Sequence, residues 1–405
     1  MNIKNKYRIL QCLYWMSGCV AWGYFISYLD EYGFSARVSG LIAAAFALAA
    51  ALIQPFLGRL ADHSSFFHWK RILLLLDILT LACLLGLLFT DAKAAVGILF
   101  GAVSMLVTTI LSMVNVACFY YEHRGTPMNF GFARALGSLA YAVLSVILGK
   151  LIEPCGIKVV VIAGIMIFAA EILLVLSMPY EGQTTGTPDQ KSDRTAPDTA
   201  EKKRAGFGVF FRRYPAFILM VAACTLFLTF HDMYTNYLLL IMEKVGGGNE
   251  HLGIALAIAA AVEIPVMVVS GWLVKKIPSC WLLVLSGAAL IARGFAYLAA
   301  GSVTEIYLIQ LFQVLTFALI ASIGVYFTDE TIAEEDLATG QAFMGMTIAG
   351  GNTIGFFVGG YLIDSFGVDA MLEMGTLISA IGTGLSVISA MMLRKNARRK
   401  KRMAG

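Results

Sequence analysis

Charge is what this chain has least of. Only 14% of its 405 residues are Asp, Glu, Lys or Arg, where a soluble domain carries about 25%, and 59% are hydrophobic. That shortage excludes a water-soluble globular protein and leaves an integral membrane protein. The short alternating segments of a closed barrel are also missing. Apolar runs near the roughly 20 residues of a spanning helix recur instead, so the fold class is all-α. The seven cysteines include no CxxC pair, and Cys12, Cys19, Cys83, Cys118 and Cys224 lie inside apolar runs. They read as small buried hydrophobes, which excludes a disulfide framework and a metal site. No A-x-A-like cleavage site closes the first apolar run, so that run is read as a retained helix. The basic tail, 394–405, has no aromatic residue beside its Lys and Arg. It reads as an anchor to anionic lipid, and nucleic acid is not expected as a partner.

The apolar runs resolve into twelve expected spans: 9–29, 36–60, 71–90, 94–120, 131–152 and 157–178 in the first half, then 215–242, 251–275, 280–301, 304–328, 337–363 and 368–393. Between the halves lies the only long polar stretch, 179–213, which reads as a flexible cytoplasmic linker. The expected organisation is therefore a six-helix bundle over 1–178, the linker, a second bundle over 214–393 and the tail. With the N-terminus in the cytoplasm, 23 of the 30 Lys and Arg fall on the cytoplasmic side and five on the opposite side. Arg134 and Arg293 stay within spans, and both termini are expected to be cytoplasmic. One loop dissents: Asp329, Glu330, Glu334, Glu335 and Asp336 are acidic and fall inside. An internal repeat supports duplication. Gly149-Lys150-Leu151-Ile152-Glu153-Pro154-Cys155-Gly156 echoes Gly360-Tyr361-Leu362-Ile363-Asp364-Ser365-Phe366-Gly367, and Pro55 and Pro265 stand 210 apart. Parallel six-helix halves of this kind place a transport site between them.

Polar residues inside spans mark that site. A membrane-centred arginine costs about 2.5 to 3.5 kcal/mol, so it normally faces a protein-lined cavity with an acidic partner. Arg134, Gly137, Ser138 and Tyr141 fall at i, i+3, i+4 and i+7, on one helix face. They read as a pocket wall; the alternative is an arginine that snorkels to the headgroups. Thr225, Thr229, Asp232 and Asn236 form a second polar stripe. His231, about 100° round that helix, reads as a structural partner of the neighbouring carboxylate. Asp77 and Glu171 read as structural, and Gln310 and Gln313 as neutral substrate-binding groups. Gly351, Gly355 and Gly359 form a close-packing ridge.

Gly40 to Ala45, followed by Gln54-Pro55-Phe56-Leu57-Gly58-Arg59-Leu60-Ala61-Asp62, resembles the second helix and following loop of major facilitator permeases. Phe130-Gly131-Phe132-Ala133-Arg134 with Gly137 resembles the opening of helix 5 in the lactose permease (oligosaccharide:proton symporter) branch. Glu263 and Arg293 match that branch's helix 8 glutamate and helix 9 arginine. The resemblance implies sugar-hydroxyl binding by Arg134 and Glu263, with Tyr141 replacing the tryptophan that stacks on the sugar ring. It further implies that Gly58, Arg59 and Asp62 belong to a gating loop, and that Arg293 acts on a proton-carrying carboxylate. The branch's helix 10 His and Glu, however, correspond to Gln313 and Thr316. Its helix 4 glutamate falls near Asn115 or Val116, its helix 11 lysine near Ile348, and its helix 8 asparagine at Val266.

The expectation is a monomeric secondary transporter of the cytoplasmic membrane, without cofactor, working by alternating access. Its cargo would be a sugar, oligosaccharide or glycoside, with a coupling proton. Arg134, Tyr141, Glu263, Asp232, Asn236 and Gln313 would bind substrate; Arg293, Glu263 and Asp232 would handle the ion. A nucleoside or amphipathic cargo is the alternative, moved by uniport or with another ion, since Tyr14, Trp15, Trp22, Tyr24, Phe25 and Tyr28 would stack on a base. A non-transporting sensor and a membrane enzyme are the remote readings, the latter resting on His231–Asp232 alone.

Overall fold

The structure, a computed structural model, describes residues 1–63, 66–180 and 207–404, and these are helices joined by short turns. The central part of the expected linker, 181–206, and the side chain of Asp62 lie outside the described residues, as do the tail side chains from Asn396 onward. The N-terminal half comprises α1 (Ile3–Gly18), α2 (Phe25–Glu31), α3 (Ala36–His63), α4 (Trp69–Phe89), α5 (Lys93–Glu122), α6 (Phe130–Cys155) and α7 (Lys158–Ser177). A short helix, α8 (Phe207–Arg213), occupies the end of the linker segment. The C-terminal half comprises α9 (Pro215–Asn236), α10 (Leu238–Lys244), α11 (Asn249–Leu273), α12 (Ser279–Ala299), α13 (Val303–Gln310), α14 (Phe317–Thr331), α15 (Leu337–Phe366) and α16 (Val368–Ala404).

Eleven of these helices or helix runs are long and apolar enough to cross a membrane. The twelfth span is α1 and α2 together, bent by 45° at a π turn over Cys19–Gly23. The seventh span breaks at the corresponding place, between α9 and α10 at Tyr237. The tenth is interrupted between α13 and α14 by a 3₁₀ turn at Leu311–Val314. Two tyrosines stand at the first two breaks, each hydrogen-bonded to the backbone of a different helix. Tyr24 donates to the Ser145 carbonyl at 2.6 Å, and Tyr237 to the Phe356 carbonyl at 2.7 Å. The repeat seen in the sequence is the same helix ending twice. Gly156 (φ 76°) and Gly367 (φ 88°) close α6 and α15 in left-handed conformations that glycine adopts without a Cβ clash.

The halves meet along α6 against α11 and α3 against α15. Side-chain hydrogen bonds across this seam lie at the end that carries the turns after α2, α6, α10 and α15. Ser27 Oγ donates to Asn249 Oδ1 at 2.5 Å, and Ser145 Oγ to the Gly253 carbonyl at 3.0 Å. The Arg37 amide donates to Asp364 Oδ2 at 3.1 Å. Glycine permits this contact on both sides. A Cβ on Gly253 would stand 2.2 Å from the Ser145 carbonyl oxygen, and one on Gly40 would stand 2.3 Å from that of Phe356.

The dissenting acidic loop has a local explanation. Arg213 of α8 bonds Glu335 at 2.5 Å and Asp336 at 3.0 Å, and the Tyr214 hydroxyl reaches Asp336 at 2.9 Å. Glu335 and Asp336 thus complement the basic end of the linker.

Candidate functional site

The N-terminal wall of the site begins one turn into α6. Asn129 caps this helix, its side-chain oxygen accepting from the Phe132 amide at 2.9 Å. Arg134 is half-buried, its guanidinium carbon 3.4 Å from the centroid of the Trp15 ring. Nη1 donates to Ser138 Oγ at 2.6 Å. Gly137 makes the stack possible, because a Cβ there would stand 2.4 Å from Trp15 Cδ1. The stripe of Arg134, Gly137 and Ser138 therefore works as a unit: a cation, the gap that admits its aromatic base, and the hydroxyl that fixes it. Such a cation–π contact contributes about 0.5 to 2 kcal/mol. Trp15 meets Tyr14 and Trp22 edge-on, with centroids 5.3 and 6.2 Å away. Tyr141 is half-buried, with its hydroxyl beside Gly23 at the break of the first span.

The C-terminal wall is a hydrogen-bonded network around Arg293, which is 0% exposed. Nη1 donates to Tyr234 OH at 2.8 Å, Gln313 Oε1 at 2.6 Å and Thr316 Oγ1 at 3.1 Å. Nη2 donates to Gln310 Oε1 at 2.9 Å and Tyr297 OH at 3.3 Å. All five partners are neutral. The two positions where the lactose permease branch carries titratable groups, Gln313 and Thr316, are thus occupied by neutral residues that accept from Nη1 directly, while Nε is left without a partner. Gln313 also turns outward: its Nε2 donates to Glu263 Oε1 at 2.8 Å. Glu263 is half-buried, at the edge of the network.

Arg134 and Glu263 are close enough for each to feel the other's charge, yet each is hydrogen-bonded to its own half. The halves thus bring a cation and an anion near each other without closing them into an ion pair. A solute bearing neighbouring hydroxyls can accept from the guanidinium and donate to the carboxylate.

Other expected residues are placed differently. His231 does not pair with Asp232: its Nδ1 lies 2.7 Å from Tyr234 OH, and its ring stacks on Phe317 at 4.6 Å. The reason is helical, since Tyr234 is one turn on from His231 whereas adjacent residues point apart. Asp232 is half-buried against α15, where Gly355 leaves room for its Cβ and Asn352 lies beside it. It joins neither the Arg293 network nor Glu263 by a hydrogen bond. Asn236 is half-buried with an unpartnered Nδ2. Gln310 and Gln313 are both buried and serve Arg293. Gly58 has open space around it and Arg59 is exposed. The glycine ridge on α15 packs against α9, Gly351 on Leu228 and Gly359 on Tyr237. Among the described residues, no group of three or more His, Cys, Asp or Glu is placed to hold a metal ion.

Sequence reasoning missed Tyr234 and Tyr297. The signal was present in their spacing, three residues after His231 and four after Arg293, which puts each on its partner's face. Trp15 stood out only as one of several aromatics, because nothing in spacing pairs α1 with α6.

Two bundles of spanning helices, related by an internal repeat and enclosing opposed polar walls, define a major facilitator transporter. Residues 7–373 match the family described as MFS_1 like family, and the chain belongs to it. The maltose permease of Geobacillus stearothermophilus is 25% identical over 357 residues, covering 85% of this chain and 82% of that protein. The uncharacterized transporter YwbF of Bacillus subtilis (strain 168) is 23% identical over 352 residues, covering 86% and 83%. Among solved structures, the nucleoside transporter NupG superposes with a TM-score of 0.76 at 16% identity, over 97% of this chain and 99% of that one. An auto-inhibited POT family peptide transporter gives 0.71 at 10% identity, over 96% of each. These structural likenesses speak for the fold. The chain is a multi-pass membrane transporter with a small-molecule substrate.

Proposed function

We propose that this transporter carries a sugar, oligosaccharide or glycoside by alternating access, with proton symport. The observation that carries the reading is the pair of opposed, unjoined charges: Arg134 stacked on Trp15 in one half, and Glu263 held by Gln313 in the other. Arg134 and Glu263 bind hydroxyls, Tyr141 and Asn236 line the space, and Gln313 orients Glu263. The maltose permease relative supports a sugar cargo. Glu263 is the proton carrier in this reading, because it is the one carboxylate linked to Arg293, and Asp232 is a second candidate on the facing helix. Solute bound between Arg134 and Glu263 would alter the field at that carboxylate and so link the two cargoes.

The distribution of Lys and Arg supports cytoplasmic termini in a cytoplasmic membrane. The hydrogen-bonded seam then lies on the outer face, and this conformation is closed outward. Gly58, Arg59 and Asp62 lie at the opposite end, where the cytoplasmic gate would form. The protein acts as a monomer.

A thermal-shift screen of sugars, glycosides and nucleosides on purified protein tests the cargo. Stabilisation by a sugar or glycoside, lost in Arg134→Ala, is the expected result. Stabilisation by nucleosides alone replaces the cargo with the second reading, which the partly buried Trp15 and Trp22 would serve by stacking. Uptake into vesicles that a protonophore leaves unchanged removes the symport.

A further inference from the structure

The core of the N-terminal half holds two carboxyl groups that the transport site does not use. Asp77 on α4 and Glu171 on α7 are both 0% exposed, and none of their four oxygens has a hydrogen-bond partner. The two helices run antiparallel in a register fixed at both ends. Lys70 Nζ donates to the Met178 carbonyl at 2.5 Å, and Leu84 packs 3.0 Å from where Gly164 would carry a Cβ. Asp77 lies seven residues from Lys70 and from Leu84, and Glu171 lies seven from Met178 and from Gly164. At about 3.6 residues per turn that is two turns from either anchor on each helix. The two carboxyls therefore face each other at one level.

A third group is aimed at the same level. Lys6 Nζ donates to the Ser177 carbonyl at 2.5 Å, and Val20 packs 3.2 Å from the Cβ position of Gly164. This register sets Tyr14 opposite Glu171. The Tyr14 hydroxyl is 0% exposed and unpartnered, and lies near enough to both Glu171 and Arg134 to feel their charges.

The other titratable groups on the surrounding helices are engaged elsewhere, carry no charge or, like Glu122 on α5, are exposed. Lys70 is held by the Leu176 and Met178 carbonyls, and Arg71 by that of Phe66. Lys158 pairs with Asp91 at the far end of α7. Tyr7 is bonded to Gln11 and Tyr121 to the Pro179 carbonyl. Cys12, Cys19, Cys83 and Cys118 are free thiols. On α6, Arg134 is bonded to Ser138, while Lys150 and Glu153 are exposed. An ionised carboxylate buried without a partner costs several kcal/mol, and two that face each other cannot both ionise.

We propose that Asp77 and Glu171 form a proton-binding site inside the N-terminal bundle, holding at least one exchangeable proton, with Tyr14 near both the site and Arg134. Binding adds H⁺ from water to one carboxylate oxygen, and release returns it; no other bond changes. The site exists independently of the cargo, and its use in transport rests on the proton-coupled reading above.

Infrared spectroscopy of the purified protein at neutral pH tests it. The wild type is expected to show the C=O stretch of a protonated carboxyl, shifted in D₂O. That band should persist in Asp232→Asn/Glu263→Gln and disappear in Asp77→Asn/Glu171→Gln. If the latter variant fails to fold, the single substitutions Asp77→Asn and Glu171→Gln in the Asp232→Asn/Glu263→Gln background must each shift or remove the band, and a band unchanged in both overturns the site. A wild type without the band, or a band lost with Asp232 and Glu263, overturns the site. A band that behaves as expected in a protein whose uptake ignores a protonophore overturns the coupling and leaves the site standing.

Discussion

Arg293 and Glu263 form one charge system without touching. Gln313 stands between them, its carbonyl oxygen accepting from the guanidinium at 2.6 Å and its amide donating to the carboxylate at 2.8 Å. A direct pair would be buried, where desolvation offsets much of the attraction. The amide instead keeps the cation inside the C-terminal half and leaves the anion facing the other half. It also gives Arg293 an indirect way to report on whatever occupies Glu263.

Removing this bridge should therefore affect binding as well as folding. Gln313→Leu leaves Glu263 without its donor and Arg293 with four neutral partners. Losing a hydrogen bond to a charged group costs about 1.5 to 3 kcal/mol, equivalent to roughly tenfold or more in affinity. The expected outcome is a weakened thermal-shift response to the ligand together with a lowered melting temperature of the unliganded protein. Unchanged affinity would show that Glu263 does not need the bridge.

Arg134→Lys should fail almost as badly as Arg134→Ala. An ammonium cannot spread over the Trp15 ring while donating to Ser138 and to a solute, as a planar guanidinium can. Loss of the stack alone is worth about 0.5 to 2 kcal/mol, so binding should weaken several-fold to about thirtyfold. Trp15→Leu should reproduce much of this loss although it removes no charge. Titrating both variants with the best ligand checks the point; full affinity in Trp15→Leu would mean that Ser138 alone positions Arg134.

The helices and the duplicated halves were legible in the sequence because lipid enforces them. Apolar runs of the right length, a repeat ending in Gly156 and Gly367, and the Lys and Arg bias carry that information. The intrahelical part of the site was legible too, since Arg134, Gly137 and Ser138 share a face. Contacts between helices were not. Nothing in spacing says that Trp15 lies under Arg134, or that Gln313 reaches back to α11. His231 misled because adjacency in sequence resembles adjacency in space, and on a helix it is not. Asp77 and Glu171 read as separate structural residues because their closeness depends on the antiparallel register of α4 and α7.

The turn before α4 should respond to acid. His68 is buried, its ring stacked on Tyr180 at 3.6 Å. Burial, then the charges of Arg71 and Lys70, push its pKa below the ordinary value. The unfolded state therefore takes up a proton more readily. The stability that His68 contributes is present above the ordinary histidine value of about 6.5 and is lost as pH falls through and below it. Melting curves on either side of that pH should diverge more for the wild type than for His68→Phe. Equal divergence would assign the acid sensitivity to other groups.

The seam between the halves supplies a steric test of its closed state. Gly253 and Gly40 sit in equivalent places, 213 residues apart, each where a Cβ would stand little more than 2 Å from a carbonyl oxygen of the opposite half. Backbone cannot yield as a flexible side chain can, so Gly253→Ala must push α6 from α11, and Gly40→Ala must push α3 from α15. Overpacking of this kind costs about 1 to 3 kcal/mol, enough to move a two-state equilibrium by about tenfold or more. The cost falls only on the closed seam, so both variants should shift toward the conformation in which it is parted. Hydrogen exchange should then accelerate at the ends of α6 and α15 and the starts of α3 and α11. Gly384→Ala, which adds its methyl to open space, controls for helix propensity and should leave exchange unchanged. Slower exchange in the seam variants would show that the helices can absorb the methyl and that glycine is not what sets their approach.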